Sequence, residues 1–216
     1  SRPIDVALRQ HCSQPGRQAA APVKVAEQRL ALAALFTNAE QLAEQRVREV
    51  ARTATRVKRV GTAPQSDLMF GPWVNRPGGG KQQVFLQAVL DDASRLIPHA
   101  QFYADQDLLS FLDCLRQAVA ARGLPTRLYM DNAKIYRSPQ LARIAASIGI
   151  LIVHTPPYQP EGRGKIERFF RSVREQFLAS LDPKALLSQD QLNESFWHWL
   201  EHVYHRREHG ALNATP

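Results

Sequence analysis

From residue 66 onward the apolar pattern changes period in a fixed order, and that order leaves few folds open. Leu68 to Val74 is apolar and aromatic, and Arg76-Pro77-Gly78-Gly79-Gly80-Lys81 turns the chain. Gln83 to Asp91 reads as a strong strand, Asp92-Ala93-Ser94 turns again, and Arg95 to Tyr103 makes a third strand, an antiparallel meander. Leu108, Leu109, Leu112, Leu115 and Val119 then recur at helical spacing, which predicts a helix over 107–121. A short strand at Arg127 to Met130, a helix over 139–148 and an apolar strand at Ile150 to Val153 follow. Thr155 to Gly164 holds Pro156, Pro157, Pro160, Gly162 and Gly164 and must be a loop, with helices over 164–181 and 189–204 beyond it. The order is three hairpin strands, then two strands each entered through a helix. It predicts an α/β fold: a mixed five-stranded sheet, three antiparallel strands then two parallel, with helices on both faces.

Upstream, residues 1–22 mix Pro and Gly with small polar residues and read as a tail or linker. Residues 24–58 lack Gly and Pro and read as helical, with Asn38 capping a second helix. Its end carries Arg46, Arg48, Arg52, Arg56, Lys58 and Arg59, either a solvated face or a basic arm along DNA. Three parts are expected: a basic, mostly helical segment over 1–60, a catalytic core over 61–182, and a helical extension over 183–216. The formal net charge of +8 is uneven, because residues 1–60 hold 11 Lys/Arg against 5 Asp/Glu while 161–216 hold 8 of each. Such an excess favours a polyanionic partner. Cys12 and Cys114 match no disulfide or zinc spacing, and no apolar run approaches a membrane span. A soluble chain in a reducing compartment is expected. With no initiator Met and an end at Asn213-Ala214-Thr215-Pro216, it reads as a piece of a longer protein.

Three acids fall where such a sheet would gather them. Asp67 lies in the first strand, Asp131 directly follows the fourth, and Glu167 lies in the first turn of the helix after the Pro/Gly loop. Neighbouring strands run about 4.8 Å apart, so carboxylates on adjacent strands can share an ion. Carboxylate oxygens are hard ligands suited to Mg²⁺ together with phosphate oxygens. Two such ions activate the attacking oxygen and stabilise the leaving one in phosphoryl displacement. At 100° per residue Ile166, Phe170, Val173 and Phe177 form one stripe, while Glu167, Arg171 and Arg174 lie together on the adjoining face. An acid beside two arginines suits an ion that also holds a phosphate. Taken singly, each acid is more often an ordinary surface residue.

The segment from about 64 to 210 resembles the catalytic core of integrase-type DDE transposases, the superfamily of retroviral integrases and phage Mu-like transposases. The likeness is strongest to bacterial insertion-sequence transposases. It rests on Ser66-Asp67-Leu68-Met69-Phe70-Gly71-Pro72, on Leu90-Asp91-Asp92-Ala93-Ser94-Arg95 and on Asp131-Asn132. It continues through Pro157-Tyr158-Gln159-Pro160-Glu161-Gly162 into Gly164-Lys165-Ile166-Glu167-Arg168-Phe169-Phe170, with 35 residues between Asp131 and Glu167. The resemblance implies a ribonuclease H-like fold with Asp67, Asp131 and Glu167 as catalytic metal ligands. It implies Mg²⁺, with Mn²⁺ as a substitute and two ions in the site, and one site that cleaves DNA 3′ ends and transfers strands. DNA contacts are expected from Asn132, Gln159, Lys165, Arg168, Arg171 and Arg174. The implied partners are mobile-element ends, target DNA and further copies of the chain, in the nucleoid of a bacterial cytoplasm. Pro64 stands where the family has Trp, and Ala133 where it has Gly.

Two rival readings share these residues: a metal-dependent nuclease without strand transfer, and a DNA-binding derivative that has lost catalysis. Asp91 and Asp92 read as turn residues rather than ligands. His154 reads as structural at the end of a buried strand, and Trp199 as a packing residue.

Overall fold

The computed structural model describes residues 41, 44–46, 48–54, 59–60, 63–155, 164–182, 185 and 187–216. Five strands form the main sheet: β1 (Gln65–Asn75), β2 (Lys81–Leu90), β3 (His99–Tyr103), β4 (Arg127–Met130) and β5 (Leu151–His154). Their spatial order is β3-β2-β1-β4-β5. β1 to β3 pair antiparallel, β4 runs parallel to β1, and β5 runs parallel to β4. The expected mixed sheet is therefore present. The third strand is shorter than its sequence pattern, because Asp91 and Leu96 close a tight turn before it (Asp91 N–H to Leu96 C=O, 2.8 Å).

Helices cover both faces. α1 (Leu108–Arg122) starts where the Asp107 carboxylate accepts from Ser110 N–H, and α2 (Pro139–Ile148) starts at a Ser138 cap and stops at left-handed Gly149. Their apolar stripes, with Leu128 and Met130 of β4, build one core layer. Val50 and Ala54, from helical residues 48–54, belong to that layer, and Arg46 pairs with Glu49 and Asp113. These residues of the basic segment are thus packed on the core, and Arg46 is turned toward carboxylates. Arg56, Lys58 and residues 1–40 lie outside the described set.

On the opposite face lie α3 (Gly164–Ser172) and α4 (Gln189–Trp199). Ile166, Phe169, Phe170, Val173 and Phe177 pack with Met69, Leu86 and Ala88 of the sheet and with Phe196 and Trp199. Both helices change pitch where the sequence reads as uninterrupted helix. Val173–Phe177 and Leu200–Tyr204 are π-helical turns, with His205 N–H reaching Leu200 C=O at 2.9 Å.

α4 also closes an edge of the sheet. Gln189, Asn193 and Trp197 recur every four residues and so line one helix face. Asn193 accepts from Phe102 N–H (2.8 Å) and donates to Phe102 C=O (3.0 Å). Gln189 donates to the same carbonyl, and the Trp197 indole donates to Ala100 C=O at 2.8 Å. Side chains thus serve the backbone groups of edge strand β3 that a sixth strand would otherwise pair. Trp199 packs in the core as expected. Replacing Asn193 by Leu should leave the buried Phe102 N–H unpaired and destabilise the chain by about 1–3 kcal/mol, read as a lower denaturation midpoint at unchanged slope.

Candidate active site

Register decides where the two aspartates go. β1 meets β4 in parallel with Gln65 opposite Tyr129, and Tyr129 N–H bonds to Pro64 C=O at 2.9 Å. Asp67 and Asp131 each lie two residues further along, so they share one face of neighbouring strands. That face is the one α3 covers: Asp67 sits opposite Ala88, which packs with Ile166, whereas Leu128 and Met130 point to the other core layer. Pro64, the departure from the family pattern, supplies a backbone acceptor at this junction.

Asp67 is only 6% exposed, and its Oδ1 accepts from Leu68 N–H at 2.9 Å. Asp131 is half-buried, with Oδ1 accepting from Ala133 N–H at 2.9 Å. Ala133 has φ −58°, an ordinary conformation that needs no glycine, so the second departure leaves the turn intact. Between strand ends, Asn132 donates to Thr155 C=O (2.8 Å), and the His154 Nδ1 lies 3.1 Å from Asp131 C=O. Thr155 bonds back to Met130 C=O through both N–H and hydroxyl. His154 is structural, and it braces the backbone of Asp131. Asn132, expected on DNA, is exposed and donates one amide N–H to the same brace.

Sequence reasoning missed the polar support on the reverse side. Gln87, 1% exposed, donates to the Tyr136 hydroxyl and lies 3.3 Å from Ser66 Oγ, which donates to Ala88 C=O. Burial pushes the Tyr136 phenol far above its ordinary pKa, and Asp67 and Asp131 push it the same way. The phenol therefore stays neutral beneath the two carboxylates. A glutamine inside an otherwise apolar strand, Val84 to Leu90, was the available signal.

Glu167 stands exposed on α3 beside buried Ile166, as the helical plot placed it. Lys165 is tied to Asp92: Nζ meets Oδ2 at 2.5 Å, and Gln65 donates to Oδ1 at 2.7 Å. Asp92 is thus more than a turn residue, since it joins the start of β1 to the start of α3. Asp91 keeps the turn role, accepting from Ser94 N–H and hydroxyl. Arg168, Arg171 and Arg174 are exposed, and Gln159 lies outside the described residues. Among the described residues no three His, Cys, Asp or Glu side chains converge closely enough to hold an ion. Asp67 and Asp131 are brought together, and Glu167 is on the helix packed over their face.

Residues 86–182 match the family model described as the TnsB C-terminal domain. The transposase for transposon Tn552 of Staphylococcus aureus is 27% identical over 162 residues, 66% of this chain and 32% of that protein. A putative transposase for insertion sequence element IS5376 of Geobacillus stearothermophilus is 23% identical over 129 residues, 55% of this chain and 32% of its own length. The HTLV-2 integrase catalytic core domain in complex with magnesium (trimeric form) superposes with TM-score 0.54 at 15% identity, covering 72% of this chain and 93% of that one. A chain of the simian T-cell lymphotropic virus intasome in complex with PP2A regulatory subunit B56 gamma gives TM-score 0.59 at 19% identity, covering 74% and 55%. Residues 86–182 are thus similar to a transposase domain, and the fold is that of integrase catalytic cores. The chain spans about a third of the length of the curated relatives it matches, 32% in both cases.

The donor set of this candidate site suits a hard divalent cation. Two carboxylates on one sheet face supply anionic oxygens, and a neighbouring backbone N–H group donates to one oxygen of each. Tyr136→Phe should remove the acceptor of Gln87 and cost about 1 kcal/mol, measured by urea unfolding. The Lys165–Asp92 pair is about a third exposed on both sides (37% each), so Lys165→Met should cost under about 1 kcal/mol in the same assay.

Proposed function

We propose that this chain is the catalytic core of a bacterial DNA transposase, cutting element ends to free a 3′-OH and joining them to target DNA. The observation that carries the reading is the placement of Asp67 and Asp131 on one face of adjacent parallel strands, beneath the helix that presents Glu167. Asp67, Asp131 and Glu167 would hold Mg²⁺, with Mn²⁺ as substitute and two ions as the working number. Bound metal supplies charge neutralisation at the scissile phosphate and an acidified attacking hydroxyl. The remaining work belongs to the chain. The β1–β4 junction fixes two ligand carboxylates, the Tyr136–Gln87 network keeps their support neutral, and exposed Arg168, Arg171 and Arg174 attract the DNA backbone.

In the first reaction a water oxygen bonds to phosphorus as the bond to the 3′ oxygen breaks; the water loses a proton to solvent and the departing 3′ oxygen gains one, leaving a 3′-OH and a 5′-phosphate. In the second the freed 3′-OH loses its proton to solvent as its oxygen bonds to a target phosphorus, and the target's own 3′ oxygen departs and takes up a proton. Self-association on DNA and a nucleoid location in the cytoplasm belong to the same proposal. Among the described residues no helix is long and apolar enough to cross a membrane.

Asp131→Asn, Asp67→Asn and Glu167→Gln should each reduce Mg²⁺-dependent cleavage and joining by at least about a hundredfold while leaving DNA affinity within a few-fold, because a neutral amide is a poor ligand for a hard cation. The check is a gel assay with intact and pre-cleaved element ends, beside a binding titration in EDTA. Wild-type joining by Asp131→Asn would refute the assignment. Cleavage of intact ends without joining of pre-cleaved ones would select the simple nuclease, and no metal-dependent activity in wild type would select the inactive derivative.

A further inference from the structure

Arg95 has an unusual backbone. Its φ of 65° is left-handed, a conformation that costs a non-glycine residue about 1 kcal/mol or more. Three bonds hold it there: Arg95 N–H to Asp91 C=O, Asp91 N–H to Leu96 C=O, and the Tyr204 hydroxyl to Arg95 C=O at 3.2 Å. Strain kept in place by converging contacts is a reason to ask what the side chain does. One terminal nitrogen of its guanidinium is shielded from solvent with no hydrogen-bond partner among the described residues. His209 Nδ1 is in the same condition. The chain folds back to hold His209 through its N–H to Ala214 C=O (2.9 Å) and its C=O to Leu212 and Asn213 N–H.

These groups share a surroundings of like charge. Burial depresses the His209 imidazole pKa, and Arg95, Arg168 and Arg207 depress it further. An open groove beside α3 is lined by Arg168, Ser172, Tyr204, Arg207 and His209. Glu175 and Glu208 also line it, yet neither forms an ion pair with these arginines. Arg168 is the residue after Glu167, so the groove adjoins the site on the same helix.

We infer that Arg168, Arg207 and His209 of this groove, with the charge of Arg95 near His209, form a receptor for one backbone phosphodiester of DNA, beside the Glu167 helix. The inference rests on the transposase reading for the identity of its polyanion. A phosphate there offsets the clustered positive charges of Arg95, Arg168 and Arg207 around His209, with guanidinium forks suited to its geometry. Such a contact carries no sequence information and sets the register of the strand relative to Asp67 and Asp131.

The test uses the whole chain in EDTA, so that no catalysis enters. Duplex DNA affinity is measured against salt for wild type and for Arg168→Gln/Arg207→Gln, two exposed positions that spare the fold, while the His209 ring protons are followed by NMR. Addition of a short duplex should shift the His209 signals in wild type. In the variant that shift should vanish, and the slope of log K against log salt should flatten by about 0.9, the value of one phosphate. An unchanged slope, or a duplex that binds without moving His209, overturns the receptor while leaving the transposase reading to the Asp131→Asn assay. A shift with inorganic phosphate but none with duplex also overturns it, since the groove would then take a free anion only. Absence of duplex binding at low salt would remove both readings.

Discussion

The short parallel contact between β1 and β4 is the constraint on which the site depends. It is one register pair, Gln65 with Tyr129, strengthened by Tyr129 N–H on Pro64 C=O. A slip by one residue would send Asp131 to the opposite face, into the apolar layer that holds Leu128 and Met130. The apolar residues on both sides therefore fix the placement of the polar ones. Burying Met130 and Leu128 against α1 and α2 is what turns Asp131 toward α3.

The remaining polar residues brace this junction from three directions. Gln87 and Tyr136 support it from below, Asn132, His154 and Thr155 tie the two strand ends, and Lys165 with Asp92 and Gln65 joins β1 to the start of α3. Asn132 and Lys165, both expected on DNA, also bond to the protein here while keeping exposed surface. Arg168 differs, since it lines a groove with other cations.

Most of the fold was legible because its signals are local. Period-two and period-3.6 patterns, the Asp107 and Ser138 caps and the Gly149 stop mark elements without reference to the rest of the chain. The positions of Asp67 in the first strand, Asp131 after the fourth and Glu167 at a helix start were legible from the same local patterns, and their role as ligands is the proposal. What escaped was non-local or a change of pitch. Nothing near Gln87 announces Tyr136, 49 residues away, and Asn193 reaches Phe102 across 91 residues. The π turns also escaped, because a helical plot assumes 100° per residue throughout. Beyond Ser172 the backbone winds more widely, so the 100° step of the plot does not hold from Val173 to Phe177.

The two aspartates also differ in how firmly the chain holds them. Asp67 sits within an 11-residue strand at the middle of the sheet, paired along much of its length with β2. Asp131 follows a four-residue strand whose far neighbour, β5, is a four-residue edge with Leu151 58% exposed. Backbone openings of low free energy concentrate where few buried bonds resist them. Fewer paired residues hold β4 and β5 than hold β1, so Asp67 is the more firmly seated of the two aspartates and Asp131 depends on the side-chain ties at its strand end.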